Sequence, residues 1–573
     1  MSILSRYSLF GVISMHADFS KLCDDYWQHL LDTDPAIGRS VGDGRLTHLL
    51  CKESLSDFQS CYEAAQSFKK RLLTIPPSEL TENESRSYHL LQRELSNTVQ
   101  EFEFERHLRH EFFPFTPDFR AVLYLNDTSL LSRQDVEDYL QRLRSIPALF
   151  QDIEQRVLEG CNKDYRIPAI HLQPVINSPL EQSRQPVRKS GFFKPLVGSM
   201  ASRYSDLVEK AELIISEEIY SALANWSQFV EKQLGQYTTG KNSLSESDPD
   251  YYRYLVEKET LCLHSAEEIH QIGLQEVAHI QTEMECVARK AGFTQGADEL
   301  KEHLAGNADY LSESAQALND TVSILSKKID GMIPEYFNLI PRISYGIKSI
   351  DSETSASMPP AFAQPNPANN SRAGVHWLTS LPDKCPSYMH TPLALHEAWP
   401  GHLMHIAILQ ELEGIPEFQL YRPLEYNAYI EGWALYCERL GHDMGLYDEP
   451  IDHFGQLQME MWRATRLVVD TGIHFYGWSR ERANKYMQTY LSLSEATIAA
   501  EVDRYIGMPA QALSYKMGDI CIQQLREKSE TDLGERFCLR EFHRQLMICG
   551  PVTLNLLDQH ITNWVESVKA EKG

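Results

Sequence analysis

Residues 396–402 read His-Glu-Ala-Trp-Pro-Gly-His, and Glu431-Gly432-Trp433 begins 35 positions after the first histidine. Two imidazoles, an acid beside one of them and a second carboxylate are the groups a catalytic zinc needs. They amount to three N/O ligands, an open position for water and a base for that water's proton. The expected assignment is His396, His402 and Glu431 as ligands and Glu397 as the base. The spacing departs from His-Glu-x-x-His, because the second histidine comes two residues late. In an unbroken helix a residue at i+4 lies about 40° from the first, and one at i+6 about 240° round. Pro400-Gly401 stands between the two histidines. Proline removes a helical hydrogen bond and glycine admits unusual dihedrals, so a break there can return His402 to the His396 side. Glu438 and His442 share the helix face of Glu431 and are alternative ligands, and His405 is an alternative to His402. A carboxylate behind the ligands is also expected, to orient their imidazoles.

A second polar set lies downstream. Arg463, Arg466, Asp470 and His474 recur at three- and four-residue spacing among Leu467, Val468, Val469 and Ile473. Asp470 and His474 are i, i+4, close enough to hydrogen-bond and fix the imidazole tautomer. Such a stripe reads either as the lining of a cavity or as a buried salt-bridge network.

These residues need elements to hold them. Apolar residues at helical spacing predict helices over 19–32, 82–105, 134–158, 205–234, 266–290 and 309–329. Ser265, three residues before Glu268, is a capping-box start. The best strand signal is RAGVHWLT, 372–379, just ahead of the histidine motif. Residues 172–203 and 350–371 read as irregular, the second rich in Pro, Ser and Asn. The expectation is a mainly α protein with a helical region over 1–240. Region 241–573 then carries a small sheet and the chemistry.

The chain has 573 residues, room for more than one core. Its 80 acidic and 54 basic residues give a net charge of −26, which argues against nucleic acid or an anionic membrane as main partner. Eleven scattered cysteines without a Cys-x-x-Cys suit reduced thiols. No apolar run approaches the ~18 residues of a membrane span. The short apolar patch Tyr7 to Met15 lacks a small-x-small cleavage pattern, so the expected location is cytoplasmic.

HEAWPGH, EGWALYCE, RATRLVVDTGIHFYGW and YIGMPAQALSYKMG, in this order, resemble the bacterial family of domains of unknown function numbered 885. The resemblance runs from DYWQHLLDTDPAIGRSVGDGR through EEIHQIGLQEV to the C-terminus, as one continuous domain over about 19–570. The late histidine is a trait of that family. Leu403 and His405 depart from it, since members often carry His and Gln there. The family is similar to the helical zinc peptidases that include angiotensin-converting enzyme, thimet oligopeptidase and the Taq-type carboxypeptidases. The resemblance implies a mainly α, zincin-like helical clamshell, with a small β-sheet next to the active-site helix and a deep channel. It implies a Zn2+ metallopeptidase, a hydrolase acting on short peptides. His474 and Tyr515 would then polarise the developing oxyanion, and Arg466 and Lys516 would bind a substrate carboxylate. Gly374, Val375 and His376 would pair with an extended peptide by strand addition. Asp470, His405 and Glu438 would stand behind the ligands. The alternatives are a metal-dependent amide or ester hydrolase of non-peptides, an iron or manganese enzyme on the same scaffold, and a non-catalytic peptide-binding protein.

Overall fold

Four long helices start with the same local device. A Ser or Thr side chain accepts the backbone N–H three residues on, while an acid at that position caps the first N–H in return. Ser54 with Asp57 opens Leu55–Leu72, Thr81 with Glu84 opens Glu82–Glu103, and Ser132 with Asp135 opens Arg133–Asn162. Ser265 with Glu268 opens Ala266–Lys290, as the sequence predicts. The computed structural model describes residues 16–109, 130, 132–197, 203–234, 242–352, 355 and 358–571. The apolar patch Tyr7 to Met15 lies outside them.

Two expected boundaries move. The helix expected over 309–329 is Ala315–Tyr336, because the Ser314 side chain caps it by accepting the Ala317 N–H at 3.1 Å. The stretch expected to be irregular from 172 begins inside a helix, Ala169–Gln182, which contains Pro174 and Pro179. Pro179 has no N–H for the Val175 carbonyl one turn back. Trp226 Nε1 donates to that carbonyl at 3.3 Å, and Ser227 Oγ donates to the next one, Ile176, at 2.9 Å. A neighbouring helix thus takes over the acceptor that Pro179 frees.

The elements that carry the site are numbered in chain order. Helix α1 is Ala266–Lys290, α2 is His390–Glu397 and α3 is His402–Gln410. Helix α4 is Asn427–Asp443, α5 is Pro450–His474 and α6 is Ser514–Leu533. Helices α1 and α5 pack along their length, as do α4 and α6. Among the described residues the strands are β1 Tyr345–Ser349, β2 Ala361–Gln364 and β3 Gly374–Leu378. They form one sheet in the order β1-β3-β2. Strand β1 runs parallel to β3 with Tyr345 opposite Gly374, and β2 runs antiparallel with Ala361 opposite Leu378. Strand β2 lies inside the stretch expected to be a loop. The protein is mainly helical with a small sheet packed against α2 and α3.

Candidate metal centre

The late histidine reaches its partner through a sharp turn. Helix α2 ends at Glu397, and Ala398 leaves it with φ −93° and ψ −125°. The backbone passes a cis Trp399–Pro400 peptide and re-enters helix at His402. A Cβ on Gly401 would lie 1.9 Å from the His396 carbonyl oxygen and 2.3 Å from that of Leu395, so only glycine permits this approach. The Trp433 indole N–H donates to the Pro400 carbonyl at 2.9 Å and holds the turn from outside. The two imidazoles meet edge to face, centroids 4.7 Å apart at 88°.

Glu431 supplies a third donor. Its Oε2 lies 3.3 Å from His402 Nε2 and 3.5 Å from His396 Nε2. One donor atom from each of the three residues falls within 4.8 Å of the others. The neighbours of Glu431 explain its position. A Cβ on Gly432 would lie 2.5 Å from Gly518 Cα, and one on Gly518 would lie 1.8 Å from the Ala428 carbonyl oxygen, so α4 and α6 touch backbone to backbone. Trp433 reaches the Pro400 turn. Glu-Gly-Trp thus joins the donor, the close crossing and the clamp in three residues.

Behind the donors, Glu438 Oε1 lies 2.8 Å from His396 Nδ1 and 3.3 Å from Arg463 Nη2. That leaves His396 Nε2 facing Glu431. Burial would push the His396 pKa down, but Glu431 and Glu438 outweigh it and carry it up to about 9. Burial would raise Glu431, but His402 and His396 hold it well below the usual carboxylate range. Glu431 Oε2 and His402 Nδ1 are buried without a well-directed hydrogen bond, and so are His396 Nδ1 and Glu438 Oε1, whose 2.8 Å contact is an ion pair. A nearly inaccessible carboxylate oxygen between two imidazole nitrogens is what a cation would satisfy, and two nitrogens and an oxygen suit a divalent transition metal. The donor set therefore fits a metal.

Two further groups stand at this cluster. Glu397 follows His396 directly, is 9% exposed, and its carboxylate accepts no hydrogen bond from the described residues. Tyr515 begins α6. Its phenol is pushed up by burial first and then by the charge of Glu431, and Arg466 Cζ lies 4.6 Å from its ring centroid.

Other expected site residues are placed elsewhere. His474 does not bond Asp470. Its Nε2–H donates to the Tyr505 carbonyl at 2.9 Å and its Nδ1 accepts the Leu244 N–H at 3.4 Å. Burial pushes it down to about 4, so it is a neutral staple with no nitrogen left for an oxyanion. Asp470 instead accepts the Tyr252 hydroxyl at 2.7 Å and the Ala510 N–H at 3.1 Å. Ala510 has φ +68°, so Asp470 pins a left-handed turn just ahead of Tyr515. Lys516 is spent on Glu460 at 2.7 Å, Asp519 at 2.8 Å and Glu276 at 3.1 Å, and is not a free substrate contact. His405 donates through Nε2 to the Tyr429 oxygen at 3.1 Å, since that hydroxyl donates to Leu546. Burial pushes His405 down to about 3, and it lies outside the donor group. His442 meets His453 edge to face, centroids 4.5 Å apart, and lies outside the group as well.

The strand contact also needs correction. Strand β3, with Gly374, Val375 and His376, is the middle strand, and both its edges are taken by β1 and β2. A peptide cannot add to it. His376 is fully buried, and burial followed by the nearby His396 pushes it down to about 3. Sequence reasoning missed the Gly432–Gly518 crossing and the Trp433 clamp. The glycines in EGW and YKMG were the available signal.

The family described as bacterial protein of unknown function (DUF885) matches residues 35–561. No curated protein matches. A candidate lipoprotein from Colwellia psychrerythraea has a similar structure, with TM-score 0.85 and 22% identity over 96% of this chain and 99% of its own. A candidate lipoprotein of unknown function from Shewanella oneidensis gives TM-score 0.73 and 17% identity over 95% and 99%. An M32 carboxypeptidase from Deinococcus radiodurans R1 gives TM-score 0.41 and 11% identity over 96% and 99%. The first two share the fold. They also overturn the expected cytoplasmic location, because both are described as lipoproteins, a class that is secreted or membrane-anchored. Among the described residues no helix is long and apolar enough to cross a membrane.

Proposed function

The chain belongs to the bacterial DUF885 family of unknown function, and from its donor set we propose that it is a zinc-dependent peptidase hydrolysing short peptides. One observation carries this reading: Nε2 of His396 and of His402 converge on Glu431 Oε2, beside an unengaged Glu397. Two imidazoles and a carboxylate leave a fourth position open, the arrangement of hydrolytic rather than structural zinc. Zinc bound there would supply Lewis acidity, polarising a carbonyl and making water acidic near neutral pH. Glu397 takes the proton from the attacking water and passes it to the leaving amine. The Tyr515 hydroxyl donates to the carbonyl oxygen as it gains charge. Glu438 holds Nδ1 of His396, so that ring keeps its tautomer and its aim. Gly401 and Trp433 hold the turn that brings the second imidazole in.

The test is a peptide-library digest by the zinc-loaded protein and by Glu397→Gln. The variant is expected to retain one zinc per chain and lose about 10²–10⁴ in kcat. A variant that cleaves peptides as fast as the parent sinks the mechanism, and a fully zinc-loaded parent that cleaves none sinks the peptidase reading.

A further inference from the structure

A cleft of about 380 Å³ opens where three distant stretches of the chain meet. They are the helix Glu82–Glu103, the end of the helix Pro249–Thr260 with the residues after it, and the start of the helix Leu554–Ala570. None of the metal donors lines it. Its volume suits a small ligand.

The helix Leu554–Ala570 begins uncapped. Thr553 has the extended backbone of a capping residue, φ −75° and ψ 155°, and a side chain of the favoured type, but makes no cap bond. The Leu554 N–H donates to the Leu261 carbonyl at 3.2 Å. The N–H groups of Asn555 and Leu556 have no acceptor among the described residues, and both residues line the cleft. Thr553 lines it too. It is 6% exposed, and its hydroxyl has no hydrogen-bond partner among the described residues. A nearly buried hydroxyl beside two free N–H groups, at the positive end of a helix dipole, is a place for an anion. Arg93 adds a full charge from the facing helix. Its Nη2 donates to the Lys258 carbonyl at 2.7 Å, which holds it at the wall of the cleft.

The remaining lining groups select among anions. Glu257 is exposed at the cleft, and its carboxylate pairs with no cation among the described residues. It repels a plain anion and receives an ammonium. Leu90, Leu556 and Leu263 add apolar surface. Leu263 is 84% exposed, so an apolar group bound beside it would take that surface out of water. Inorganic phosphate answers the helix start alone, whereas a zwitterion with an apolar body answers all three features.

We propose that this cleft binds a free α-amino acid with an apolar side chain. Its carboxylate accepts from the Thr553 hydroxyl and the N–H groups of Asn555 and Leu556, with Arg93 beside it. Its ammonium meets Glu257, and its side chain lies against Leu90, Leu263 and Leu556. The cleft is separate from the metal centre, so binding there does not depend on peptide cleavage.

Calorimetry of the zinc-loaded protein with L-leucine, leucinamide, N-acetylleucine and inorganic phosphate tests this. One leucine per chain is expected to bind, and the amide and the acetylated compound are each expected to bind at least about 10-fold more weakly, because each loses a charged hydrogen bond. Phosphate is expected not to displace leucine. Thr553→Val and Glu257→Gln should each weaken leucine about 10-fold at unchanged zinc content and thermal midpoint. Absence of leucine binding, equal binding of the three leucine compounds, displacement by phosphate, or leucine binding that survives both substitutions overturns the proposal. A second measurement needs no variant. Crystals of the unmodified protein soaked in free selenomethionine should show anomalous selenium beside Leu90 and Leu263. Selenium at the metal donors alone, or nowhere, overturns it.

Discussion

An imidazole that gives one nitrogen to a metal needs the other held, because a free ring turns and becomes a poorer ligand. For His396 that holder is Glu438, 2.8 Å from Nδ1, itself steadied by Arg463 at 3.3 Å. Glu438→Gln is expected to weaken zinc binding about 10- to 100-fold in a chelator competition, and unchanged affinity would remove Glu438 from this role. Tyr515→Phe is expected to cost about 10²–10³ in kcat with zinc content and KM unchanged. His474→Gln behaves differently: it should lower the thermal midpoint and leave kcat of the folded protein intact. Residue types and order made the donor cluster of His396, His402 and Glu431 legible, with Glu397 beside it, whereas Tyr515 was suggested by the family resemblance. His474 was not legible, because spacing along a helix says nothing of what lies opposite. Its partners, Tyr505 and Leu244, are 31 and 230 positions away in the chain. Lys516 is the same case, since Glu276 and Glu460 neutralise it from other helices.

At the scale of elements, the site depends on two helices joined by a four-residue turn and on a helix crossing with no side chains between. Gly401→Ala would drive a methyl group into the His396 carbonyl, where only 1.9 Å is available. The turn must open, and His402 leaves His396. The expected outcome is loss of stoichiometric zinc together with about 1–3 kcal/mol of stability in urea titrations. Full zinc and full stability in Gly401→Ala would show that the turn does not set the ligand geometry. The Pro-Gly break and the long helices were legible, since periodicity and capping are local signals. Strands β1 and β2 were not. They are five and four residues long, and pairing with β3 holds them rather than a propensity of their own. The middle position of β3 follows from that pairing, which is why the strand-addition expectation failed.

Over the whole molecule, burial has made many histidines neutral. His376, His405 and His543 are pushed down to about 3, and His474 and His560 to about 4, in each case by burial first. Their unfolded value is near 6.5. As pH falls below that value the unfolded chain takes up protons that the folded chain refuses, so the contribution present above about 6.5 is lost towards 4 and 3. His396 has the opposite sign. Raised to about 9 without metal, it adds stability below about 6.5 that is lost as pH rises through 9. The urea midpoint is therefore expected to fall steadily from about pH 7 to about pH 5 at constant m-value, because the depressed histidines, these five and His453 among them, outnumber the raised one. A flat or rising midpoint would contradict neutral burial. The central claim is that His396, His402 and Glu431 hold one catalytic ion. Anomalous diffraction at the zinc edge, from crystals of zinc-loaded protein, tests it most directly. One strong peak is expected about 2.0–2.2 Å from Nε2 of His396, Nε2 of His402 and a carboxylate oxygen of Glu431. A peak at other residues, or none at this cluster in protein that carries stoichiometric zinc, would contradict it.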